Sequence, residues 1–235
     1  MEPKGFKRLG IGLALSLAVA VPMSALAQTG MYGGGAGYGG GMMGGGGPGF
    51  GMMGGGSLND RPVSEGWGGQ VWDYAKVQQY LKASSEYGQA DPAAHTVRFS
   101  GHEVIIDMTA VQPDHDDGTF EVHDISNPTL VVPQGAVVHL NLVNMDYGKN
   151  MEHGVIITPA GPPYAYMSMM QTGPGFAGVM PLLPWRNADD VTKADYAAQG
   201  TTFVASRPGT YWYVCPTPGH AKKGMYGKFV VEGSS

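Results

Sequence analysis

Cysteine is almost missing from this 235-residue chain, with Cys215 its only example. A disulfide framework and a multi-cysteine zinc or iron–sulfur site are therefore excluded. Charge is also scarce: Asp, Glu, Lys and Arg supply 14% of the residues, against roughly 25% in an ordinary soluble domain. Basic residues (14) are fewer than acidic ones (19), and the net charge is −5. That balance argues against a nucleic-acid binder held by phosphate contacts. The apolar run from Leu9 to Val21 falls short of the about 20 residues that a membrane-spanning helix needs. Glycine (39) and methionine (15) are what the chain has in quantity.

The N-terminus accounts for part of this composition. Lys4, Lys7 and Arg8 precede the apolar run, and Ala25-Leu26-Ala27 closes it. This is the layout of a secretory signal peptide over residues 1–27, cleaved after Ala27. Its removal takes away three basic residues and Glu2, leaving 11 basic and 18 acidic side chains and a net charge of −7. The exported chain is then expected to have no membrane span. Residues 28–66 read as a disordered tether, since positions 30–56 hold 17 of the glycines and five methionines, Met31, Met42, Met43, Met52 and Met53. Such a segment cannot bury enough apolar surface to offset its ordering entropy, and as a coil it spans about 26–31 Å. Its thioethers are soft ligands that suit Cu(I).

From residue 67 to 235 the pattern is that of one folded domain. Val71, Trp72, Ala75, Val77 and Leu81 recur at helical spacing, which predicts one amphipathic helix over Gln70 to Lys82. Short strands are predicted at His95–Ser100, Glu103–Met108, Phe120–Ile125, Thr129–Val132, Val137–Asn144, Gly154–Thr158, Thr202–Ala205, Thr210–Cys215 and Tyr226–Glu232, each bounded by turn residues. The fold class is all-β, a Greek-key sandwich or barrel with one N-terminal helix. Pro159 to Gln199 reads as a long ordered excursion over one end.

The chemistry concentrates near the C-terminus. A strand rich in aromatic and branched residues delivers Cys215, and His220 and Met225 follow at intervals of five. Cys-x4-His-x4-Met sets a thiolate, an imidazole and a thioether on one loop. A blue-copper site needs these and one more imidazole, two nitrogens and a sulfur near one plane with a weak axial thioether. Of the remaining histidines, His153 fits best, because a polar loop over Asp146–Glu152 precedes it and an apolar strand follows. His139 and His123 read as hydrogen-bonded structural residues. His95, His102 and His115 lie in or beside turns and read as solvated.

These stretches resemble the rusticyanins, blue copper proteins of acidophilic iron oxidisers within the cupredoxin family. The resemblance runs from about Trp67 to Glu232. It is carried by Phe120-Glu121-Val122-His123-Asp124, Asn127-Pro128-Thr129-Leu130, Gly161-Pro162-Pro163-Tyr164-Ala165, Pro218-Gly219-His220 and Gly224-Met225-Tyr226-Gly227-Lys228. The sulfocyanins, a related blue copper group, are similar as well. The resemblance implies one type 1 copper per chain, bound by His153, Cys215, His220 and Met225. Two features depart from it. Gly154 stands where many cupredoxins place a hydrogen-bonding residue that ties the first histidine loop to the cysteine loop, and the Gly/Met/Tyr tether is longer than expected.

The function implied is that of a monomeric periplasmic one-electron carrier and not an enzyme. It would exchange electrons with redox proteins such as a cytochrome c, an iron-oxidising assembly or a terminal oxidase. Copper oxidases and nitrite reductases need further copper centres with His-x-His or His-Cys-His patterns, and neither occurs in the chain. The alternative is a copper storage or delivery protein that works through the Met-rich tether. Met167, Met169, Met170, Met180 and Phe176 read as core or rim packing, and some of them, with Pro216, Pro218 and Ala221, are expected to form an apolar collar around the exposed edge of His220. Burial of His153 is expected to disfavour its protonation in acid.

Overall fold

The computed structural model describes residues 62–63, 67–172 and 180–233. The expected signal peptide, nearly all of the tether and Phe176 lie outside the described residues. Val63, assigned above to the tether, is 4% exposed, joins the core, and donates its N–H to the Trp185 carbonyl at 3.1 Å.

Two sheets face one another across the core. The first contains β1 (Gln70–Trp72), β4 (Glu103–Ala110), β5 (Phe120–Val122), β6 (Ile125–Ser126), β8 (Val137–Asn144) and β11 (Tyr196–Val204), in the order β1-β11-β8-β4-β5-β6. The second contains β2 (Gln89–Asp91), β3 (Thr96–Arg98), β7 (Thr129–Pro133), β9 (His153–Thr158), β10 (Met180–Leu183), β12 (Gly209–Val214) and β13 (Tyr226–Glu232), in the order β10-β9-β12-β13-β7-β3-β2. Pairs β4/β8, β7/β13 and β3/β7 are parallel, so the chain crosses between sheets. In β8 the alternation seen in the sequence works as expected at first. Val138, Leu140 and Leu142 enter the core, while Val137, His139 and Asn141 are partly exposed. Alternation then stops because Val143 is buried on the opposite face.

What buries Val143 is the helix. It spans Tyr74–Ser84 (α1), four residues later than predicted, because Asp73 caps it, accepting from the Lys76 N–H at 2.8 Å. Gln70–Trp72, read as helix, instead extends the sheet edge beside β11. Val77 and Tyr80 face Trp72, Val143, Met145 and Tyr196, a second small core outside the first sheet. Tyr80 donates to the Met108 carbonyl at 2.9 Å and meets Trp72 edge-on at 5.3 Å. Three short helical turns, α2 (Met169–Thr172), α3 (Ala188–Lys193) and α4 (His220–Lys223), add to the one helix expected. The excursion after Pro159 also carries more structure than predicted, since β10, α3 and the start of β11 lie within it.

Under α1, the first sheet holds two largely buried carboxylates. Asp107 accepts from Asn141 Nδ2 at 2.8 Å across the β4/β8 pair. Burial pushes its carboxyl up to about 6, against the lowering effects of Asn141 and of His123. Burial likewise raises Glu121, which accepts from Thr119, the Gln112 N–H and Thr109. Both groups bind their proton more tightly folded than unfolded. Each therefore costs stability when ionised, and for Asp107 that cost disappears as pH falls from about 6 to below its ordinary value of 3.8. Asp107→Asn is expected to stabilise the protein by about 1–3 kcal/mol at pH 7 and to have little effect below about pH 4. Denaturant midpoints at the two pH values test this, and an equal gain at both would contradict it.

Candidate metal centre

Strand β12 brings Cys215 to the site. Side chains two apart share a face, so Tyr211, Tyr213 and Cys215 all point into the core. Tyr213 is fully buried, packs edge-on against Phe120 at 5.8 Å, and donates its hydroxyl to the Pro128 carbonyl at 2.6 Å. Beyond the strand the chain closes a tight loop. Cys215 N–H donates to the Met225 carbonyl at 3.1 Å, and Met225 N–H donates to the His220 carbonyl at 3.1 Å. Gly224 ends α4 with φ +119°, a conformation that a side chain would strain. Asn127 Nδ2 holds the Gly224 carbonyl at 3.2 Å. The Asn127-Pro128 pair therefore braces the loop and the strand that leads to it.

His153 arrives from the neighbouring strand. It is the first residue of β9, which runs antiparallel to β12 with Val214 opposite Ile156. Its Nδ1 lies 3.7 Å from Cys215 Sγ, His220 Nδ1 lies 3.7 Å from the same sulfur, and the two nitrogens are 3.3 Å apart. The point equidistant from these three atoms lies about 2.1 Å from each, the length of a first-row metal–imidazole bond. His153, Cys215 and His220 would hold an ion there through two imidazole nitrogens and a sulfur, the donor set of a blue-copper site. His153 and Cys215 have no exposed surface, and His220 is partly exposed. Met225 is fully buried in the adjoining core.

Asp146, seven residues before His153, was read as part of a polar loop. It is 8% exposed, and its Oδ2 accepts from His153 Nε2 at 2.9 Å. A carboxylate only accepts, so Nε2 carries the hydrogen and Nδ1 presents its lone pair to the other donors. Asn144 holds this loop in place. Its Oδ1 accepts from the Asp146 N–H at 3.0 Å, and its Nδ2 reaches the carbonyls of Met151 at 2.9 Å and Pro184 at 3.0 Å.

This arrangement reverses the protonation expected of His153. Burial alone lowers its pKa, but the hydrogen bond to Asp146 and the contact with Cys215 outweigh burial and raise it to about 9. Cys215 moves the opposite way. Burial would raise it, yet His153 and His220 bring it down to about 5. Without metal, the centre is a thiolate–imidazolium pair between these values, and a cation held by these donors would displace the proton on Nδ1.

Gly154 departs from the usual pattern for a steric reason. A Cβ there would lie 2.8 Å from the Met180 carbonyl oxygen, because β10 packs directly on it. The tie between the two loops comes from the other side. Buried Thr217 donates its hydroxyl to the Glu152 carbonyl at 2.5 Å.

The other histidines stand apart from the centre. His139 bonds Glu103 and Thr202, and His123 bonds the Tyr87 carbonyl. His115 is not solvated as expected, because Ser126 and Asp124 engage both ring nitrogens and leave its side chain 17% exposed. His95 is exposed, as expected, and its Nε2 also contacts the Ser126 carbonyl at 2.6 Å. The expected collar changes as well. Met180, Pro216 and Ala221 are buried, whereas Pro218, Met167, Met169 and Met170 are exposed and Tyr166 joins them.

A sandwich whose strand ends gather two imidazoles and one thiolate is a cupredoxin with a blue copper centre. The comparisons narrow the class. The chain is 37% identical over 165 residues to rusticyanin of Acidithiobacillus ferrooxidans and 36% identical over 165 residues to that of Acidithiobacillus ferridurans, covering 69% of this chain and 80% of each relative. The 1.27 Å structure of rusticyanin from Thiobacillus ferrooxidans is similar at TM-score 0.61 and 32% identity, over 69% of this chain and 96% of that one. A 2.1 Å structure, described as that of the copper protein rusticyanin, gives 0.58 and 33%, over 69% of this chain and 97% of that one. No family model matches. The chain belongs to the rusticyanin family, and its cofactor is type 1 copper.

Two substitutions test the supports of the centre. Asp146→Asn is expected to lower the His153 pKa in the copper-free protein from about 9 toward 6.5, followed by imidazole NMR. An unchanged titration would mean that the carboxylate does not set the protonation state. Gly154→Ser is expected to displace β10 and cost about 1–3 kcal/mol, read as a lower thermal midpoint, and no loss would contradict the packing argument.

Proposed function

We propose that this protein is an exported, monomeric one-electron carrier in which His153, Cys215, His220 and Met225 hold a single copper ion. The observation that carries this reading is the convergence of two imidazole nitrogens and the only thiolate in a dry pocket, with one imidazole reaching the surface. Bound there, copper supplies a one-electron couple between Cu(II) and Cu(I).

The chain's own residues do the rest. Asp146 fixes the tautomer of His153, and the Thr217–Glu152 bond keeps the two ligand-bearing loops together. The closed Cys215–Met225 loop holds its donors through the backbone, so little rearrangement is needed on electron transfer. Burial of Cys215 excludes water from the thiolate. The exposed edge of His220 is then the route for electrons. Tyr166, Met167, Met169, Met170 and Pro218 form an apolar rim there, suited to weak and transient docking. We place it, on the family resemblance, in the periplasm and in a respiratory chain such as acidophilic iron oxidation, between a cytochrome c or iron-oxidising assembly and a cytochrome or terminal oxidase. Among the described residues no helix is long and apolar enough to cross a membrane.

Copper-loaded protein is expected to show one intense thiolate-to-copper band and one copper per chain. Cys215→Ser is expected to abolish the band, and a band that survives would overturn the ligand assignment. Replacing Met167 with Lys on the rim is expected to slow electron exchange several-fold without moving the band. An unchanged rate in stopped-flow mixing with a cytochrome c would count against the rim.

A further inference from the structure

Three methionines in four residues lie at the surface beside the metal centre. Met167 is 46% exposed, Met169 37% and Met170 84%. Leaving apolar side chains in water forgoes the gain of burying them, and an apolar docking rim would be served equally well by leucine. The turn that displays them is firmly held. Ser168 between them is 1% exposed and donates its hydroxyl to the Cys215 carbonyl at 3.1 Å. Gly219 N–H donates to the Tyr166 carbonyl at 2.7 Å, next to His220. Met170 N–H donates to the Met167 carbonyl at 3.1 Å, closing the turn, and residues three apart on a turn lie side by side. Gln171 pins its far side, accepting from the Ala165 N–H and donating to the Pro163 carbonyl.

Donor chemistry then selects the ligand. The stretch from Tyr166 to Gln171 contains no histidine, cysteine or carboxylate. Its side chains offer neutral, soft thioethers, which suit Cu(I) and not harder divalent ions, and which acid does not protonate. The turn is bonded to the backbone of Cys215, and the partly exposed residue of the centre, His220, lies alongside it.

We propose that Met167 and Met170, with Met169 beside them, bind a second copper ion as Cu(I) and pass it to the buried donors; the transfer step rests on the assignment of His153, Cys215 and His220 as ligands. In the transfer the Cu–thioether bonds break and bonds to Cys215 Sγ and the two imidazoles form. Protons displaced from those donors leave to solvent. Copper remains Cu(I) throughout, so no oxidant or reductant takes part.

The test uses the full-length, copper-loaded and reduced protein, titrated without oxygen with Cu(I) against a coloured Cu(I) chelator of known affinity. A second Cu(I) is expected. Its affinity should fall at least tenfold in a Met167→Leu/Met170→Leu variant, which keeps the surface apolar. It should stay within twofold when Met31, Met42, Met43, Met52 and Met53 are all replaced by Leu. A second ion that survives the turn substitutions, or none in the parent protein, overturns the site. For transfer, copper-free protein receives one equivalent of Cu(I) and is then oxidised with ferricyanide. The charge-transfer band should develop at least tenfold more slowly in the turn variant, and equal rates overturn the transfer step. No band in the parent protein would instead defeat the reading of the buried centre, while the chelator titration scores the surface site independently.

Discussion

The hydrogen bond from His153 Nε2 to Asp146 Oδ2 is the contact on which the metal centre depends. With one ring nitrogen committed to a carboxylate at 2.9 Å, the other must face Cys215 and His220. A fully buried imidazole and thiolate would be costly without such partners. Asp146 is itself held from behind. Asn144 fixes its backbone and spans to Met151 and Pro184. Arg186, 7% exposed, donates to the carbonyls of Asp195 and Met145 while stacking on Tyr196 at 3.9 Å. The end of β8, the β8–β9 loop and the segment after β10 therefore form one brace behind a single nitrogen atom.

The opposite half of the centre is organised differently. His153 is oriented by a side-chain chain of contacts, whereas Cys215, His220 and Met225 are oriented mainly by backbone bonds within their own loop. That division follows from sequence distance. Eleven residues can close on themselves, but 62 residues separate His153 from Cys215, so their approach requires the pairing of β9 with β12. Thr217 joins the two halves at the point where Gly154 cannot, because β10 occupies the space a side chain would need. Under α1, Asp107 and Glu121 fold more easily protonated than ionised, because burial raises both carboxyls.

The parts legible in the sequence were those with local signatures. Val137–Asn144 and Tyr226–Glu232 emerged as strands with the residues expected, since each carries its own alternation and turn boundaries. The Cys215, His220 and Met225 spacing was legible for the same reason. The start of α1 was misjudged because Trp72 fits a helical period yet serves an edge strand, and the Asp73 cap was the signal overlooked. Strand β10 was missed because Met180-Pro181-Leu182-Leu183 has no period of its own and exists through pairing with β9. Asp146 reads only as part of a polar loop, because a carboxylate there shows nothing in sequence of the imidazole beside which it is buried.

What the sequence determined by itself is the chemistry: one thiolate, one loop that carries it with an imidazole and a thioether, and no second cysteine or clustered histidines to make anything larger. Those are properties of residue type and short spacing, which folding does not alter. Tertiary structure decided that His153 lies beside Cys215 and His220, which of its nitrogens faces them, and that burial would not keep it neutral. Each of these depends on distances between strands far apart in the chain. Electrostatics in a dry interior is set by the neighbour a few ångströms away, and only the pairing of the sheets places Asp146 there.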